Sequence, residues 1–74
     1  MTLITCLEIA NNYPENIRIN STKQTNGKFS AVCYRLKDGE IHKLILSTQP
    51  IFGTEEEANN SLHTIANMCK NKYK

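Results

Sequence analysis

Two dipeptides, Asn26-Gly27 and Asp38-Gly39, constrain this chain more than any other feature. Type I′ turns need positive φ at both central residues, a conformation that Asn, Asp and Gly adopt at least cost. Strand-forming residues flank both dipeptides. Ile17 to Lys23 alternates at first, through Ile17 and Ile19, and then turns polar in the manner of an edge strand. Residues 28–36 and 40–48 supply a second and a third strand, and Pro50 ends the third. The turns thus predict an antiparallel meander of three strands.

A helix follows. In Gly53-Thr54-Glu55-Glu56-Glu57, Thr54 is the N-cap and Glu57 completes a capping box, in which two orphan backbone donors are satisfied reciprocally. The three Glu sit at the positive end of the helix dipole, and Lys70, Lys72 and Lys74 at the negative end. Ala58, Leu62, Ile65 and Cys69 form the apolar stripe. Residues 1–13 admit two readings. Leu3, Ile4, Leu7 and Ala10 share a helical stripe with Thr2 as N-cap, whereas Thr2, Ile4, Thr5 and Ile9 are β-branched and suit a strand. The helix is preferred. Pro14 ends either one, because the residue before a proline avoids the α region. The expected fold class is α+β: a three-stranded antiparallel sheet packed against a C-terminal helix, with an N-terminal helix or strand (αβββα or ββββα). Residues 1–74 are expected to form a single domain.

Seventy-four residues, 39% of them hydrophobic and none of them Trp, suffice for one sheet–helix interface. They are too few to enclose a substrate pocket of roughly 300 Å³ as well, so an enzyme is not expected. The net charge is +2, from nine basic and seven acidic residues. Proteins that live on phosphate contacts usually carry a larger basic excess and more Arg. Cys6, Cys33 and Cys69 are widely spaced, odd in number and set in apolar stretches, which predicts three free buried thiols in a reducing compartment. The first ten residues carry Glu8 and no basic flank, so no signal peptide is expected, and no run is apolar enough to span a membrane. The expected location is cytoplasmic, with no membrane partner.

The strands are apolar on both sides. Phe29, Ala31 and Cys33 alternate with Val32, Tyr34 and Leu36, and strict alternation in the third strand sets Ile41 and Ile45 against Leu44 and Leu46. One helix covers only one face. The second face needs the N-terminal segment, through Leu3, Ile4 and Leu7, or else a partner protein or a second copy of the chain, giving a homodimer.

Motifs for chemistry are sparse. His42 and His63 lack companions at ligand spacing, so neither a metal nor any cofactor is expected. Cys33 and His42 lack the third group that would orient a nucleophilic pair. Asn20-Ser21-Thr22 and Asn59-Asn60-Ser61 match the glycosylation pattern only as chance allows in an Asn-rich chain. What remains is a basic group around the hairpins, Arg18, Lys23, Lys28, Arg35, Lys37 and Lys43, with Tyr34 among them. Basic strands with an interleaved aromatic suit a phosphate backbone, and a solvated hairpin face looks the same.

The run from Gly27-Lys28-Phe29-Ser30-Ala31-Val32, through Tyr34-Arg35-Leu36-Lys37-Asp38-Gly39, to Phe52-Gly53-Thr54-Glu55-Glu56-Glu57-Ala58 resembles the three-stranded-sheet-plus-helix DNA-binding domains. These are the arm-type-site-binding domain of tyrosine integrases and the GCC-box-binding domain of plants. The resemblance implies Lys28, Ser30, Arg35, Lys37 and Lys43 as DNA-facing positions, although the Trp and Arg residues common in those sheets are absent. With an N-terminal helix, the order is also similar to that of a double-stranded-RNA-binding domain, with Phe29 as the strand aromatic. Glu55-Glu56-Glu57 stands where that family has a basic helix start.

The expected function is that of a small non-enzymatic binding module. Nucleic acid bound through the basic hairpins is one reading, with Arg18, Lys28, Tyr34, Arg35, Lys37 and Lys43 as its site. The other is a small phage-type inhibitor or adaptor, of which anti-CRISPR proteins are an example, that docks on a larger nucleic-acid-handling protein. Strand order favours the first and charge favours the second.

Overall fold

The structure, a computed structural model, describes residues 2–73. Its elements run α1 (Leu3–Asn12), β1 (Ile17–Lys23), β2 (Phe29–Lys37), β3 (Glu40–Ser47) and α2 (Glu55–Lys72). The N-terminal segment is therefore a helix. Thr2 caps it, its side chain accepting from the Thr5 N–H at 3.1 Å. The helix ends at Asn12, and Tyr13, ahead of Pro14, is already extended.

The strands pair antiparallel in the order β1-β2-β3. The second hairpin turns as expected, with Asp38 and Gly39 both at positive φ. The first does not. Only Gly27 takes positive φ there. Its N–H donates to the Gln24 carbonyl at 3.0 Å, and the Asn26 side chain accepts from the Lys28 N–H at 2.9 Å. This is a longer loop closed by a glycine bulge, in which the Asn stabilises the turn through its side chain.

After β3 the chain stays zipped to β2. Phe29 and Phe52 exchange backbone hydrogen bonds of 2.8 and 3.2 Å, and Thr48 accepts from the Ala31 N–H through its hydroxyl. This lays the start of α2 beside the start of β2. The Thr54 hydroxyl accepts from the Glu57 N–H at 3.1 Å. Among the described residues the reciprocal bond from the Glu57 carboxylate is not formed, so the box is half closed and the three Glu answer the dipole from solvent. Lys70 and Lys72 occupy the last turn as expected, and Lys74 lies outside the described residues.

Both helices lie on one side of the sheet. Ala58, Leu62, Ala66 and Cys69 of α2 pack on Ile17, Ala31 and Cys33, with Ile9 of α1 beside them. Ala at three of these positions lets the helix approach the sheet closely. The structure also joins Cys6 to Cys69 in a disulfide, with Cα atoms 5.3 Å apart. The expectation of three free thiols is corrected accordingly. The two helices pack side by side, a proximity that a separation of 63 residues conceals. Cys33 is the free cysteine among the described residues, and it is buried.

Candidate functional site: the open face of the sheet

The sheet face away from the helices is uncovered. In a ladder, residues directly opposite each other point to the same side. Ile17 lies opposite Arg35, Ile19 opposite Cys33 and Ser21 opposite Ala31, which defines the helix side. Arg18 opposite Tyr34 and Asn20 opposite Val32 define the open side.

On β3 the pairing slips twice against β2, between Cys33 and Tyr34 and again between Arg35 and Leu36. Each slip leaves one β3 residue, Ile45 or His42, without an opposite number and re-phases the strand. Leu44 therefore lies opposite Tyr34 and Ile41 opposite Leu36, both on the open side, while Leu46 lies opposite Cys33 on the helix side. Ile45 also packs against the core. Strict alternation, which grouped Ile41 with Ile45, is thereby corrected: Ile41 and Leu44 share the open face. They are 51% and 54% exposed. Val32, Tyr34 and Leu36 are half-buried between them and β1. The N-terminal segment does not cover this face. Of the residues suited to do so, Leu3 and Ile4 are 60% and 79% exposed and Leu7 is half-buried, all on a helix that packs against α2.

On the helix side, Glu8 ties α1 to the sheet. Its carboxylate accepts from Lys43 Nζ at 2.8 Å and from the Arg35 guanidinium at 3.3 Å. Arg35 and Lys43 are cross-strand partners on the helix side. The Lys43 ammonium, hydrogen-bonded to it, does most to hold the Glu8 carboxyl below its ordinary value of 4.5. Arg35 adds to this, and partial burial opposes it. Burial, and secondarily the Glu8 charge, pushes the Cys33 thiol up to about 11, so it stays protonated and unreactive near neutral pH.

The basic residues singled out in the sequence are thus dispersed. Arg18 and Tyr34 are neighbours on the open face. Arg35 and Lys43 are neighbours on the helix side and are paired with Glu8. Lys37 lies opposite Glu40 beside the second turn. Lys28 precedes β2 at its far end, roughly 30 Å along the strand from Lys37. Ser30, implied as DNA-facing by resemblance, is buried and its hydroxyl is engaged by the Gln24 amide at 2.9 Å. Reading the sequence missed Glu8 because nothing local marks a carboxylate as the partner of two cations far along the chain.

Among the described residues no group of three or more His, Cys, Asp or Glu side chains could hold a metal ion, and no helix is long and apolar enough to cross a membrane. Comparison with family models, curated proteins and solved structures finds no match for this chain.

Proposed function

We propose that this protein is a small non-enzymatic docking module whose open sheet face binds a larger protein. The observation that carries this reading is the contiguous apolar face of Val32, Tyr34, Leu36, Ile41 and Leu44, left bare although a helix was available to cover it. Exposed apolar surface of this kind marks interaction sites, and a Tyr at its centre suits a hot spot. Arg18 is the one charged side chain that the pairing places on this face. The matching surface is therefore apolar with a carboxylate positioned for Arg18.

Other modes fit this surface less well. The bulges in β3 interrupt its free edge, which disfavours addition of a further strand there. A second copy fits poorly, because it brings a second Arg18 and no carboxylate on the same face. Three strands of seven, nine and eight residues span roughly 14 by 26 Å, so even doubled for surface relief this face alone supplies no more than about the ~800 Å² per partner of a stable interface. A larger partner can add rim contacts that a second copy cannot. Nucleic acid is the less favoured ligand because the cations are dispersed and two of them share the Glu8 carboxylate on the helix side.

Binding measured against candidate partners should weaken at least tenfold for Arg18→Glu and for Leu44→Asp, both of which leave the core untouched. The mass in solution should be that of a monomer. Tight retention of duplex or single-stranded nucleic acid at ~50 mM salt, lost in Lys28→Ala and Lys37→Ala, would instead favour the nucleic-acid reading.

A further inference from the structure

Across the sheet from the open face, α1 is held lightly apart from its crosslink. Ile9 is its one buried residue. Its polar ties are the ion pairs of Glu8 with Arg35 and Lys43, both cations more than a third exposed, and the hydrogen bond of 2.9 Å between the Tyr13 hydroxyl and His63 Nδ1 just beyond its end. Cys69 is buried in the core, whereas Cys6 is only half-buried at its edge. With Ile65, Met68 and Lys72 they line a cavity of about 240 Å³. A disulfide exchanges only where a thiolate can reach one sulfur, and this cavity is wide enough for the end of a small thiol.

We propose that the Cys6–Cys69 bond is a thiol-exchange site, open to small dithiols and glutathione-like thiols through the groove between α1 and α2, and that its cleavage releases α1. The attack falls on Cys6, which is half-buried, whereas Cys69 is 2% exposed. A bond forms between the incoming sulfur and the Cys6 sulfur, the Cys6–Cys69 bond breaks, and the electron pair leaves on Cys69 as a thiolate. Lys72 lies one turn beyond Cys69 on the same helix and lines the same cavity, so its charge favours both the incoming and the departing thiolate. The second thiol of a dithiol then displaces Cys6 and closes its own disulfide. The dithiol loses two electrons and its two protons end on Cys6 and Cys69. This reaction does not depend on the docking reading, since it takes place on the helix side.

The test uses the native full chain in its disulfide form. It is treated with dithiothreitol, alkylated and peptide-mapped, and its amide hydrogen exchange is followed before and after. Cys6 and Cys69 should become alkylated without denaturant while buried Cys33 does not. Exchange across residues 3–12 should rise about tenfold or more, with β2 unchanged. With glutathione alone, the mixed disulfide should map to Cys6. Lys72→Gln should slow that reaction roughly two- to fivefold, the effect of one exposed charge at close range. Reduction only in denaturant, alkylation of all three cysteines at one rate, an adduct on Cys69, or unaltered exchange in α1 would each overturn the proposal. Cys6→Ser should show the loosened α1 without reductant, and if that variant does not fold the wild-type measurements still decide.

Discussion

Glu8 is the side chain that ties α1 to the sheet by charge. One carboxylate faces two cations from two strands, and all three groups are partly exposed, so solvent screening keeps the contribution small. Glu8→Gln is expected to cost about 1 kcal/mol, read from the midpoint of denaturant unfolding. The sign of the pH dependence follows from the depressed pKa. The stabilisation is present above the unfolded value of 4.5 and is lost as pH falls through the lower folded value. Wild-type stability should therefore drop below about pH 4.5 more steeply than that of Glu8→Gln. Thr54 contributes through a single accepted hydrogen bond at the start of α2, and Thr54→Ala should cost on the order of 1 kcal/mol. Glu57→Ala should cost less, because its side chain makes no return bond to the cap.

The turns and caps act at the scale of elements. Gly39 holds positive φ in a two-residue turn, and a Cβ there would meet no neighbouring atom. Gly39→Ala should therefore destabilise through backbone strain alone, by about 1 kcal/mol in an unfolding titration. Signals of this local kind made the three strands and α2 legible in the sequence, through Asp38-Gly39 for the second hairpin and Thr54 for α2, while Thr2 and Pro14 bounded an N-terminal segment that could still be read as helix or strand. Tertiary choices were not legible. The slips that re-phase Ile41 and Leu44 depend on how β3 meets β2, and alternation along β3 alone points Ile41 the wrong way. On the side taken by α1, Glu8 meets Arg35 and Lys43, which lie 27 and 35 positions later. The same packing of helix on helix brings Cys6 to Cys69, which their spacing did not suggest. Arg18 and Tyr34 were legible as candidates, and only the register made them neighbours.

The whole molecule is a thin two-layer structure, about 36 × 26 × 19 Å, with helices on one side of the sheet and bare apolar strands on the other. Its stability resides in the helix-side layer, so the open face is free to change. Leu44→Asp should leave the unfolding midpoint within about 0.5 kcal/mol of wild type, as for a surface site. The proposed function requires this face to meet a protein. The most direct measurement places a photo-crosslinking residue at Leu44 on the open face, or at Met68 on the helix side as a control, in otherwise native full-length protein in its host cell. The account predicts one discrete protein adduct from position 44, sharply reduced by Arg18→Glu, and no such adduct from position 68. A nucleic-acid adduct or a crosslinked second copy at position 44, or a discrete protein adduct from position 68 alone, would contradict it.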